Sequence, residues 1–148
     1  MTHVEILATV PLALALIHLA RIDIKQRILP DIITLPLVVA GLGLSLLDGP
    51  EAVITCAIGA AAGFAIFFVI GEVFFRLRGY EGLGLGDAKL FSAAGAWLGW
   101  AALPTVLLIA SLGALGYIAA TGWKSGRAIA FGPWLCFGFF VSWCLKLI

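Results

Sequence analysis

The sequence predicts an all-α membrane protein: a six-transmembrane-helix bundle with a polar active-site cavity at the cytoplasmic face, in a single domain over residues 1–148. Three observations carry that prediction. Hydrophobic residues make up 63% of the chain and charged residues only 11%, against about a quarter charged in an ordinary soluble domain. The mean hydropathy is +1.16. The apolar residues also fall into six runs, and the connections between them are too short to hold a soluble module.

The runs are roughly 4–20, 30–47, 52–75, 88–101, 103–121 and 128–146, judged against the ~20 apolar residues that a span takes. The first follows MTHVE, which has no lysine or arginine, and no small-residue cleavage signal comes after it. It therefore reads as a retained helix and not a signal peptide. The second begins at Pro30. The fourth is short for a span, so its helix should start below the headgroups with Asp87 inside the protein. Glycines recur at packing spacing, Gly59 with Gly63, Gly95 with Gly99 and Gly113 near Gly116, and such small residues let helices approach closely. The five tryptophans, Trp97, Trp100, Trp123, Trp134 and Trp143, fall near predicted helix ends, as an interfacial belt would have them.

Basic residues set the orientation. Arg21, Lys25 and Arg27 join runs one and two; Arg76, Arg78 and Lys89 lie between or beside runs three and four; Lys124 and Arg127 join runs five and six. With an even number of spans these three connections share one side, and of the nine basic residues only Lys146 lies opposite. Positive charge stays in the cytoplasm, so both termini are expected outside it. The net charge of +1 suggests no nucleic-acid partner. Cys56, Cys136 and Cys144 form no CxxC pair and lie in apolar runs. They read as small buried side chains, without a zinc site or a disulfide framework. Oligomeric state is left open.

Two aspartates stand out. Asp23 follows the first run, and Asp87 closes the glycine-rich stretch GYEGLGLGDAKL. The topology returns both to the cytoplasmic face. A carboxylate near hydrocarbon is costly and usually marks function, and two brought together can share a proton and activate water. Gly79, Gly82, Gly84 and Gly86 precede Asp87. Irregular backbone at that depth is tolerated only where protein or water surrounds it, which is why a polar cavity is expected. The spacing does not fit GxGxxG, so nucleotide binding is rejected. Two plainer readings stay open. The aspartates could be solvated loop charges, with Asp23 pairing Arg27 at helical spacing, or the proton or cation site of a small membrane transporter.

The chain resembles the type 4 prepilin peptidases, GxGD-type aspartic proteases of the bacterial inner membrane. IDIKQRILPDIITLP resembles their first aspartate motif, EGLGLGDAKLFSAAGAWLGW the second with its Gly-x-Gly-Asp core, and AFGPWLCFG their C-terminal Phe-Gly-Pro element. The resemblance implies that Asp23 and Asp87 are the catalytic pair, and that the substrates are prepilins, pseudopilins and similar secretion subunits. It further implies removal of a short basic leader after a glycine on the cytoplasmic side, without a metal or organic cofactor. Bifunctional members also methylate the new amino terminus and carry paired CxxC motifs. This sequence has none, so N-methyltransferase activity is not expected of it. A non-catalytic factor that binds pilin helices is a further alternative.

Other polar residues carry weaker expectations. Gly84, Gly86, Glu81, Asp31 and Lys89 are candidate substrate contacts. Asp31 could instead cap the second helix beside Pro30, with Thr34 following it. Glu81 could attract a basic leader or be a solvated charge, and Glu72 could pair with Arg76. Lys89 could modulate the aspartates or mark the interface. His18 reads as a hydrogen-bonded packing residue.

Overall fold

In the computed structural model, which describes residues 3–79, 84–122 and 130–148, the chain is all-helical. Among the described residues there are six α-helices: α1 His3–Gln26, α2 Asp31–Ser45, α3 Pro50–Arg78, α4 Leu85–Leu98, α5 Leu103–Thr121 and α6 Gly132–Leu147, with a 3-10 turn Trp100–Ala102 leading into α5. Three segments are long and apolar enough to cross a membrane: Val4–Gln26, Pro50–Arg78 and Trp100–Thr121. Helices α2 and α6 are apolar but shorter.

The helix ends follow local chemistry. Pro50 occupies the first turn of α3 behind Gly49, where a missing N–H costs nothing. Gly79 ends α3 in the left-handed conformation, and its N–H closes on the Phe75 carbonyl at 2.8 Å, a glycine C-cap. Helix α1 runs past the predicted limit near residue 20, because RIDIKQ is helix-competent and nothing breaks it before Arg27. Asp23 is therefore held on a helix rather than in a loop.

Helix α4 is the centre of the bundle. It packs against α2, α3, α5 and α6, and nine of its residues from Ala88 to Trp97 are buried. A helix apolar on every side belongs inside. Its small residues let α3 close on it backbone on backbone: a Cβ at Gly59 would lie 2.6 Å from the Gly95 carbonyl oxygen. This is the close approach that the glycine spacing predicts, and Gly113 likewise meets Trp134, whereas Gly116 faces open space. The tryptophans depart from an interfacial belt. Trp97 and Trp143 are core residues, 5% and 1% exposed, because their indole N–H groups find buried acceptors in the Leu37 carbonyl and Thr9 Oγ1. Trp123 lies outside the described residues. His18 is exposed on α1, so it has no packing role in this chain. Cys56 and Cys136 are buried, and Cys144 partly so.

Candidate active site

Asp23 stands on the last turn of α1. Its carbonyl accepts the N–H of Arg27 at 2.9 Å, and Arg27 itself takes a left-handed φ of 55°. Few non-glycine residues do so. Here it stops α1 just beyond Asp23 and turns the chain through residues 27–30 into α2. Asp87 stands in the first turn of α4. Gly84, in extended backbone, precedes that helix as its N-cap, and its carbonyl accepts the Asp87 N–H at 3.1 Å.

These two elements bring the aspartates to the same end of the bundle, where the Asp87 carboxyl feels the charge of Asp23. Asp23 is buried, only 6% exposed, while Asp87 is partly buried. The third wall is the start of α6. A Cβ at Gly132 would lie 2.6 Å from Asp23 Oδ2, so any side chain there would displace that carboxyl. Cys136, one turn further along and buried, lies within electrostatic reach of both acids. Asp23 Oδ2 is buried and makes no hydrogen bond of good geometry among the described residues, although the Gly132 N–H approaches the carboxyl. A buried acceptor without a well-placed donor is costly and is, in native proteins, an exception that calls for a reason. Paired carboxyls of unequal exposure form a group that can hold one proton between them and work on water.

The weaker candidates divide. Lys89 donates to Asp31 Oδ1 at 2.6 Å, tying α4 to α2. Asp31 does not cap α2: Pro30 holds the N-cap position without a side-chain bond, and Asp31, one residue further in, spends its carboxylate on Lys89. Gly86 is covered by its own chain, since a Cβ there would lie 2.8 Å from the Leu29 Cβ. Among the described residues a Cβ at Gly84 would meet only the Gly86 nitrogen, at 3.9 Å. Glu72 pairs with Arg76 at 2.8 Å, one turn along α3. Glu81 lies outside the described residues. A cleft of about 270 Å³ opens beside the first turn of α4, between Phe67, Phe68, Gly71, Glu72 and Phe75 on one side and Gly84, Leu85 and Ala88 on the other. Its walls are mostly aromatic and small, with Glu72 the charged group among them.

Three residues of this end lie within the quoted motifs, but those motifs do not give them their place beside the aspartates. Gly132 was within reach, since a Gly-Pro pair opening an apolar run marks a helix start, but that α6 would open against Asp23 is a tertiary fact. Leu29 and Cys136 gave no signal, because a leucine or cysteine in an apolar chain is the ordinary case.

Comparison with known proteins places this architecture. The model of the Type IV leader peptidase family matches residues 10–119. The prepilin leader peptidase/N-methyltransferase of Aeromonas hydrophila is 44% identical over 133 residues, covering 87% of this chain and 46% of its own. That of Burkholderia pseudomallei is 43% identical over 139 residues, covering 89% and 44%, and that of Escherichia coli 41% identical over 127 residues, covering 84% and 56%. The chain thus spans about half the length of the curated relatives it matches. No solved structure matches it. With both aspartate motifs inside the matched region, the chain belongs to the type IV leader peptidase family.

Proposed function

We propose that the chain is an aspartic endopeptidase of the bacterial inner membrane, and that it removes the short basic leader from type 4 prepilins or prepilin-like secretion subunits. What supports this reading is that Asp23 and Asp87, one from each motif, lie at one end of the bundle within electrostatic reach of one another. The relatives' names supply the substrate class. Methyl transfer, which those names also carry, is no part of the proposal.

In the proposed reaction the ionised aspartate takes a proton from water as the water oxygen attacks the scissile carbonyl carbon. The protonated aspartate donates to the carbonyl oxygen. Collapse of the tetrahedral species breaks the C–N bond, and the departing amine takes a proton from the pair. All six helices span the bilayer, with the acids on the cytoplasmic side and both termini in the periplasm, as the basic asymmetry of the sequence favours. The substrate lies extended at the interface in a polar cavity while its apolar segment stays in lipid.

Co-expression with a prepilin and mass measurement of the product tests the activity. The leader is lost with the wild-type chain and retained with Asp23→Asn or Asp87→Asn. Intact prepilin beside a well-inserted wild-type chain would sink the reading and leave the transporter alternative standing. A reporter after Ile148 should be periplasmic and one at Ser125 cytoplasmic; the reverse labelling would overturn the siting of the acids.

A further inference from the structure

We propose that Leu29, Gly86, Asp31 and Lys89 form a clasp that sets the spacing of Asp23 and Asp87. The idea rests on the peptidase reading for its catalytic consequence, but its geometry stands apart from it. Leu29 lies in the turn that follows Asp23, is 6% exposed, and sits directly on Gly86, the residue before Asp87, where a Cβ would come within 2.8 Å of the Leu29 Cβ. Just beyond, the Lys89 ammonium meets Asp31 Oδ1 at 2.6 Å. The chain leaving one aspartate is thus fastened to the helix bearing the other at two neighbouring points.

The two points do different things. The Leu29 contact is apolar and non-directional, so it holds the turn against α4 without fixing how the turn sits on it. The ion pair is directional. A half-exposed pair adds little to stability by itself, and its role here is to fix how the turn after Asp23 sits on the packed start of α4, hence how Asp23 meets Asp87. Lys89 is not placed to touch the reacting atoms. It stands two residues from Asp87, and positions i and i+2 of a helix do not face each other. Its charge and that of Asp31 are also spent on one another, which separates both from the role of substrate contacts. Lys89 and Asp31 are positioning residues.

The test measures kcat and KM for a purified prepilin with a basic leader ending in glycine, using the full chain in detergent. It also measures, without reference to activity, the distance between spin labels on cysteines replacing the exposed Ile24 and Leu85, with Cys56, Cys136 and Cys144 changed to alanine. Lys89→Met and Asp31→Asn should each lower kcat about 10- to 100-fold, the scale on which small misplacement acts, with KM held within about twofold. Each should broaden the label distance, and the exchanged pair, Asp31→Lys with Lys89→Asp, should restore both readings in large measure. If Lys89→Met fails to insert, Asp31→Asn breaks the same bridge and carries the same expectations. A raised KM with unchanged kcat would make these residues substrate contacts and overturn the proposal. So would an unchanged label distance, whatever the activity. If the wild-type chain cleaves nothing but the distance still broadens and recovers, the peptidase reading fails while the clasp stands.

Discussion

The two ends of the bundle treat buried polar groups in opposite ways. At the end holding Trp97 and Trp143, both indole N–H groups are satisfied, by the Leu37 carbonyl at 2.8 Å and Thr9 Oγ1 at 3.0 Å. Lys146 lies over the Trp143 ring, bonds the Trp97 carbonyl at 3.4 Å and approaches Glu5 at 4.0 Å. This cluster joins α1, α2, α4 and α6. At the other end the same helices hold two carboxyls within electrostatic reach of one another, with Asp23 Oδ2 buried and without a hydrogen bond of good geometry among the described residues. The first end does have a loose group among the described residues, Ser142 Oγ, but a neutral hydroxyl is far cheaper to leave unpaired than an ionisable oxygen. On the peptidase reading, a bundle that satisfies its indoles at one end and sets two acids at the other divides stability from chemistry along its length.

The sharpest way to break that comparison is to neutralise the acids. Asp23→Asn and Asp87→Asn should each reduce prepilin cleavage by about 10²–10⁴-fold, the range for a lost general acid or base. Thermal unfolding in detergent should be unchanged or improved, because a buried charge has been removed without opening a cavity. A variant that unfolds earlier as well as losing activity would make this end structural and erase the distinction.

Helix α6 offers a matched pair. Gly132 lies against the Asp23 carboxyl, while Gly138 lies against the backbone of α5, where a Cβ would come 2.5 Å from the Val106 carbonyl oxygen. Gly132→Ala should push the carboxyl aside and lower kcat about 10- to 100-fold, with a modest change in stability. Gly138→Ala must force the α5 and α6 backbones apart and should lower stability by about 1–3 kcal/mol, the ordinary cost of overpacking, with kcat of the folded fraction preserved. Equal losses of activity in both variants would show that α6 transmits strain along its whole length.

Much of this division was legible in the residues, and the limits were physical. The six helices follow from apolar runs bounded by Gly, Pro and charge, and the aspartates from the expense of carboxylates in such a chain. Hydropathy placed the tryptophans near helix ends but could not say which would find buried acceptors. That is settled by the partners, the Leu37 carbonyl from α2 and Thr9 from α1. The Asp31–Lys89 bridge was hidden for the same reason, since its members sit 58 positions apart and each had a plausible local role. Trp97→Phe tests the closed end directly. It keeps a ring in the core but strips the Leu37 carbonyl of its donor, and should cost about 1–2 kcal/mol of stability, leaving kcat within about twofold. A large loss of kcat would mean that the closed end governs the acids through α4.

The smallest effect belongs to Gly84, and it sharpens where the chemical end begins. Glycine repeats invite one explanation for all their members, but the surroundings of Gly84 and Gly86 differ. Gly86 is roofed by Leu29, and an added Cβ would strike that side chain. Among the described residues Gly84 has nothing closer than the Gly86 nitrogen at 3.9 Å, and its φ of −75° and ψ of 147° are open to any residue. Its carbonyl, not its missing side chain, receives the first N–H groups of α4, and alanine keeps that carbonyl. Gly84→Ala should therefore cleave prepilin within about twofold of wild type and unfold within about 0.5 kcal/mol of it, as an unstrained surface change does. Gly86→Ala should lose activity well beyond that, because Leu29 must move and the turn after Asp23 moves with it. If Gly84→Ala proved as damaging as Gly86→Ala, the need for glycine would come from a peptide lying across the α4 start, and the cleft beside Leu85 and Ala88 would be the place to look for it.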